Sequence, residues 1–346
     1  MFVRRLALTP TAPWHPPKGL GSTQSALTIG NFDGVHLGHQ AILDHLRKIG
    51  QARGLCTAAM TFEPHPRDYF ALATSQPDTA PARILTLRDK LSRLQSAGLD
   101  MCALLRFNKA TATLTAEQFI EDLLVKQLRV KYLLVGDDFR FGAQRRGDFS
   151  MLVQAGAHWG FEVEQVQSVE VRGQRVSSSL VRQALQNSDL AEAGALMGQP
   201  YSVSGHVIHG RKLGRELGFR TLNLRFAHNK PACSGIFVVQ VHGLVEGHAL
   251  QGVANFGVRP SLDPSDVNGG RVLLETHVLD WPAHFGANHA YGKIISVDLL
   301  QKLHDELRYD SLDALIKGIE KDCLDARAFF LAHPAQTRRQ TTRDRI

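Results

Sequence analysis

Cysteine is scarce and scattered in this chain of 346 residues: Cys56, Cys102, Cys233 and Cys323 lie far apart and form no CxxC pair. That excludes a disulfide framework and a closely spaced zinc site, and it leaves reduced thiols of the kind found in cytosolic proteins. Long apolar runs are missing as well. None reaches the roughly 18 residues that would cross a bilayer. Arg4 and Arg5 are followed by prolines and polar residues instead of an apolar stretch, so the reading expects no secretory leader, no membrane partner and a cytoplasmic setting. No internal repeat, low-complexity tract, aromatic–basic RNA signature or GxxxxGK(S/T) phosphate loop occurs.

Charge of one sign is in modest excess, at +7 with sixteen histidines besides. Such a balance suits nucleic acid or small polyanions alike. Part of it sits in the tail 333–346, expected as a basic, mobile end. With 43% hydrophobic and 21% charged residues the chain reads as globular, and its length calls for two domains.

The first half alternates short apolar runs, 25–30, 55–62, 99–107 and 131–136, with segments of three- and four-residue apolar spacing, 39–49, 86–97 and 115–128. Strand, helix, strand in repetition predicts an open parallel α/β sheet with ligands at the carboxyl ends of its strands. Thr115 and Gln118 make a capping box for the third helix. Beyond 199 the pattern changes. Strand-like runs at 201–208, 217–224, 235–241, 249–255, 272–279 and 293–300 follow one another without helices, which predicts an antiparallel sheet or small closed barrel. A helix over 311–330 follows, and 189–197 reads as a short connecting helix.

The first strand runs into Gly30-Asn31-Phe32-Asp33-Gly34-Val35-His36-Leu37-Gly38-His39 and then a helix. Glycines allow close approach of the backbone to a ligand. A strand's carboxyl end meeting a helix's positive end is an anion site before any side chain contributes. His36 and His39, three apart, share one side of the first helical turn and can donate to a phosphate whose charge rises as it is attacked. The segment resembles the HxGH motif of the nucleotidylyltransferase superfamily, in the GxFDGxHxGH form of bacterial bifunctional riboflavin kinase/FAD synthetases. The resemblance implies attack of the FMN phosphate on the α-phosphorus of ATP, with His36 and His39 catalytic and Gly30, Phe32, Asp33 and Gly38 holding ATP.

Three further segments carry the resemblance. Thr61-Phe62-Glu63-Pro64-His65-Pro66 is similar to the family's TFEPHP, which implies that Phe62 and Pro64 wall the flavin site. Gly136 to Gly142 matches its GDDFRFG and implies polar contacts from Asp138 and Arg140. Ser177-Ser178-Ser179-Leu180-Val181-Arg182 stands where the family holds the β- and γ-phosphates; Ser177, Ser178 and Arg182 are kept, while Leu180 replaces a usual arginine. Serines at a helix start also cap backbone N–H groups in any protein.

In the second half, the glycine- and cation-rich stretch 205–219 can wrap phosphates with backbone N–H groups. It resembles the riboflavin kinase pattern GxVxxGxxxGRxLGFPTANL, which implies ATP contacts from Gly210, Arg211 and Gly214, and Mg²⁺ ligation by Thr221 and Asn223, oxygen donors that suit this ion. Arg220 and Leu222 stand where the family has proline and alanine, and Leu222 is expected to crowd a tight turn. Residues 252–260 and 274–280 continue the match. They imply Glu275 as the general base toward the ribityl 5′-hydroxyl, and the later match at Leu307-Arg308-Tyr309 implies Arg308 as a flavin contact.

The resemblance thus implies a Rossmann-like nucleotidylyltransferase domain over 25–186, after an extension 1–24, then a linker helix 187–199 and a six-stranded antiparallel riboflavin kinase barrel with a C-terminal helix over 200–332. Riboflavin, FMN, FAD, ATP, ADP and pyrophosphate are the implied small-molecule partners, with Mg²⁺ accompanying ATP, no permanently bound prosthetic group and no nucleic acid. Two narrower readings stay open on the sequence: FAD synthesis alone with a degraded barrel, and a non-catalytic flavin sensor.

Overall fold

The computed structural model describes residues 1–8, 22–166, 170–171, 173–210, 218–228, 230–258, 271–286 and 288–334. Arg211 and Gly214, and the tail from 335, lie outside the described residues. The chain packs as two compact units, Met1–Pro81 with Lys90–Ser177, and Ala82–Asp89 with Ser178–Ile346.

The first unit is built on six strands: β1 (Phe2–Leu6), β2 (Ser25–Ile29), β3 (Cys56–Glu63), β4 (Met101–Arg106), β5 (Val130–Gly136) and β6 (Glu162–Val166). They lie in the order β1-β4-β3-β2-β5-β6, every pair parallel. The order runs outward both ways from β2, so a topological switch falls between β2 and β5, where open α/β sheets bind ligands beyond the strand ends. All five residues of β2 are buried, as a strand covered on both faces requires. Strands β7 (Glu170–Val171) and β8 (Gln174–Arg175) form a separate hairpin.

The helices are α1 (Leu37–Arg53), α2 (Pro66–Ala73), α3 (Leu87–Ser96), α4 (Lys109–Ala112), α5 (Ala116–Gln118) and α6 (Phe149–Trp159). The capping box at Thr115 is formed, and α5 continues as a π-helical stretch, Phe119–Gln127. Helix α1 ends where Gly54 takes the left-handed conformation (φ 63°) that glycine adopts without a steric penalty.

Two strands escape the sequence pattern. β1 and β6 are the sheet's edges, with half-exposed sequences FVRRL and EVEQV. An edge strand covered on one side needs no apolar run, and β1 lies within what reads as an extension.

In the second unit, α7 (Ser178–Gln186) and α8 (Leu190–Met197) precede β9 (Ser202–His206), β10 (Thr221–Phe226), β11 (Gly235–Val245), β12 (His248–Val258), β13 (Val272–Val278) and β14 (Ile294–His304). These six strands form an antiparallel sheet in the order β10-β13-β12-β11-β14-β9. A bridge between Ile208 and Asn223, with Ile208 N–H donating to the Asn223 carbonyl at 2.9 Å, brings its two ends together into a near-barrel.

One face of the sheet turns Phe226, Phe237, Val239, Phe256 and Leu274 into a fully shielded core. On the other face, Val238 and Val253 pack against Ala326 and Phe330 of the C-terminal helix α9 (Leu312–Ala332). Burying a large apolar side chain contributes roughly 1.5–3 kcal/mol. Arg327 of α9 also forms a bidentate pair with Asp280, at 2.8 and 2.9 Å, which straps the helix to the end of β13.

The segment Ala82–Asp89 belongs to this unit through backbone bonds. Arg83 N–H donates to Lys230 O at 2.8 Å, and Ala232 N–H to Arg83 O at 3.1 Å. The buried Asp89 carboxylate accepts from the backbone and hydroxyl of Ser204.

Candidate active sites

The turn between β2 and α1 is unusually wound. Phe32 (φ 49°), Gly34 (φ 96°) and Val35 (φ 42°) are all left-handed. Side chains hold three of the turn's carbonyls: Thr61 donates to Asn31 O at 3.2 Å, Gln40 to Val35 O at 2.8 Å, and Arg93 to Gly34 O at 3.0 Å. The buried Phe32 ring stands 5.1 Å from that of His39.

The turn delivers His36 to the N-cap of α1, where its Nδ1 accepts from His39 N–H at 3.4 Å. In the neutral ring that bond puts the proton on Nε2. The His36 and His39 rings stack with centroids 3.7 Å apart. Burial, then the charges of His36 and Lys90, hold His39 well below the usual imidazole range, so it is neutral at ordinary pH. His39 Nδ1 is buried with no hydrogen-bond partner among the described residues. Gly38 is fixed by packing. A Cβ there would come within 3.2 Å of the His36 ring and 3.3 Å of Val176 O.

The other motifs of the first unit lie at neighbouring strand ends. Phe62, at the end of β3, meets Phe107 edge-on at 5.9 Å, and Tyr69 and Phe70 join the same ring at 5.5 and 5.7 Å. Pro64 is exposed, while His65 is buried and caps α2 by accepting from Arg67 N–H at 3.1 Å. After β5, Asp138 and Arg140 are exposed, whereas Phe141 packs into the core against Phe119. Arg175 pairs with Asp137 at 2.9 Å and lies 3.9 Å from Asp138.

The serine segment is divided between the units. Ser177 closes the first; Ser178 opens α7 in the second, and Arg182 on that helix donates Nε to Ala82 O at 2.8 Å.

The second site is a register row. Asn223 on β10 lies directly opposite Glu275 on β13, and Glu275 directly opposite Asn255 on β12. Opposed residues share a face, and the next pair along, Thr221 with His277, is on it too. This is the face of Ile236 and Val238, so the row lies outside the barrel core, on the side where α9 packs.

The amide oxygens of Asn223 and Asn255 are buried with no partner among the described residues. Gly210 approaches so closely that a Cβ would fall 2.7 Å from Asn223 Nδ2. An orphaned buried oxygen, the Thr221 hydroxyl and a glycine cradle fit a hard, oxygen-seeking cation accompanying phosphates. Sequence reading passed over Asn255, whose place beside Glu275 depends on strand register alone.

Leu222 is not in a tight turn. It is a buried strand residue opposite Thr276, on the core face, and a larger side chain than alanine fills the barrel there. Arg220 is exposed, and its carbonyl bonds to His277 Nδ1 at 2.9 Å. Arg308 lies exposed in the segment between β14 and α9.

A family model described as FAD synthetase matches residues 21–180, and one described as riboflavin kinase matches 197–330. The bifunctional riboflavin kinase/FMN adenylyltransferase of Escherichia coli strain K12 is 47% identical over 310 residues, covering 89% of this chain and 94% of that protein. Its counterpart from Pseudomonas fluorescens is 42% identical over 311 residues, covering 90% and 94%. A solved structure from Streptococcus pneumoniae, described as a macrolide-efflux protein, is 27% identical with a TM-score of 0.68, covering 91% of this chain and 98% of that one. Among the described residues here, no helix is long and apolar enough to cross a membrane.

The FAD synthetase and riboflavin kinase matches, lying over a parallel α/β sheet and an antiparallel near-barrel, mark an ATP-using transferase. The chain belongs to the bifunctional riboflavin kinase/FMN adenylyltransferase family, and it makes FMN from riboflavin and FAD from FMN. The readings as an FAD synthetase alone or as a flavin sensor give way to this.

Proposed function

We propose that the two activities are divided between the domains, adenylyl transfer within 25–186 and riboflavin phosphorylation within 200–332, in the cytoplasm, where the free thiols stay reduced. The observation that carries the first assignment is the stacked His36–His39 pair at the positive end of α1, with His39 held neutral and its Nδ1 unpartnered among the described residues.

An oxygen of the FMN phosphate attacks the α-phosphorus of ATP, the bond to the β-phosphate breaks, and pyrophosphate leaves. His36 and His39 donate hydrogen bonds to the α-phosphate oxygens as their charge grows, and the first N–H groups of α1 add their dipole. Removing one such donor typically costs about 100- to 1,000-fold. Gly30, Phe32, Asp33 and Gly38 form the ATP-holding turn, and Ser177, Ser178 and Arg182 bind the departing pyrophosphate. Phe62, Pro64, Asp138 and Arg140 contact the flavin.

In the barrel, Glu275 accepts the proton of the riboflavin 5′-hydroxyl as that oxygen attacks the γ-phosphorus and ADP leaves. Thr221 and Asn223 would hold Mg²⁺ with their oxygens, Gly210, Arg211 and Gly214 would wrap the ATP phosphates, and Arg308 contacts the flavin. When bound, Mg²⁺ offsets negative charge on the β- and γ-phosphates. The orphaned Asn223 oxygen supports this donor set.

The test is to assay each half-reaction in His36→Ala and Glu275→Ala. The first substitution removes FAD formation only, and the second removes FMN formation only.

A further inference from the structure

We propose that Arg93 is a positioning residue for adenylyl transfer, holding the turn that delivers His36 to the start of α1. The proposal rests on the assignment of that chemistry to the paired histidines.

The turn contains Val35 at φ 42°, a conformation that a β-branched residue rarely takes, beside Phe32 at φ 49°. Such backbone persists only where the surroundings over-determine it. Two of the three side chains that grip it come from the adjoining elements, Thr61 from β3 and Gln40 from α1. The third, Arg93, reaches in from α3 and donates Nη1 to the Gly34 carbonyl at 3.0 Å, with 8% of its surface exposed.

A charged donor makes this bond stronger than its neutral counterparts. Gly34 lies two residues before His36. Its carbonyl direction therefore sets how the chain enters the helix, and with it the aim of His36 Nε2. Lys90, three residues earlier on α3, is also buried, and its charge reaches His39. The same helix thus supports the turn mechanically and adds positive potential at the histidine pair. Arg93 touches no reacting atom in this account; it acts through His36.

Arg93→Met and Arg93→Lys in the full chain separate positioning from general stability. Both half-reactions are measured, with kcat and KM for FAD formation resolved. A misplacement of about 1 Å typically costs on the order of 100-fold. Arg93→Met is therefore expected to lower kcat for FAD formation by about that factor, with KM for ATP and FMN within about threefold and FMN formation within about twofold. Arg93→Lys, which keeps a charged donor, recovers at least about tenfold of the loss.

FAD formation within threefold of the parent in Arg93→Met overturns the proposal. So does a parallel loss of both half-reactions, which marks a structural residue only, and so does a lysine variant no better than methionine. His36→Ala run alongside isolates the underlying assignment: full FAD formation there refutes the histidine site itself, whatever Arg93 does.

Discussion

Asn223 on β10 faces Glu275 on β13 in direct register, and Asn255 on β12 flanks the same glutamate from the other side. Replacing Asn255 with aspartate sets a second carboxylate beside Glu275. Like charges there disfavour ionisation of both. The acidic limb of the pH–rate profile for FMN formation is expected to move to higher pH in Asn255→Asp, while that for FAD formation stays where it was. An unmoved acidic limb would remove Glu275 from the role of base or Asn255 from its side.

Asn223→Ala removes the buried amide oxygen that the Mg²⁺ assignment uses. Titrating Mg²⁺ in the FMN-forming assay should show a requirement raised by at least the roughly 10- to 100-fold that supporting groups of metal sites typically command. A variant saturating at the parental Mg²⁺ concentration would take Asn223 out of the ligand set.

Gly38→Ala tests the first site through packing alone. Its Cβ would press on the His36 ring at 3.2 Å and on Val176 O at 3.3 Å, so one of them must shift by a few tenths of an ångström. FAD formation is expected to fall by on the order of 10- to 100-fold, with FMN formation unchanged. Steady-state assays of both steps check it, and equal activity in the two proteins would show that the imidazole pair tolerates displacement.

His304 bears on pH-dependent stability. Burial opposes its protonation, but bonds to the Asp305 carbonyl at 2.7 Å and to Asp322 at 2.8 Å outweigh that, and its pKa is raised above the ordinary 6.5. A group whose folded pKa is raised stabilises fully below its unfolded value, and that contribution is lost as pH rises through the folded value. Thermal melts should therefore show the parent losing an increment of stability above about pH 6.5 that His304→Gln never had. Parallel melting curves in the two proteins across that range would count against the contact.

The sheet, the near-barrel and the C-terminal helix were legible because β2 is buried throughout, because turn residues separate the later strands, and because Thr115 and Ser311 cap their helices. Edge strands β1 and β6 were not, since a strand covered on one side can turn charged residues such as Arg5 and Glu162 to solvent.

The site was legible where it is local. His36, Gly38 and His39 fall within one helical turn, so spacing alone brings them together. Asn255 and Glu275 are twenty residues apart in sequence, and their meeting depends on a register that no short motif encodes. Arg93 is further still from Gly34, and its signal is a buried cation on a helix that otherwise reads as amphipathic. Leu222 misled for the same reason. Its neighbours suggested a turn, while its partner across the sheet, Thr276, makes it core.

The central claim is that one chain presents ATP in two ways, its α-phosphorus to the imidazole pair and its γ-phosphorus to the Asn–Glu–Asn row. Side-by-side assays of His36→Ala and Glu275→Ala, each supplied separately with riboflavin and with FMN, test it most directly. The account predicts that the histidine variant still turns riboflavin into FMN but makes no FAD, and that the glutamate variant still turns FMN into FAD but makes no FMN. Loss of both products in both variants would contradict it.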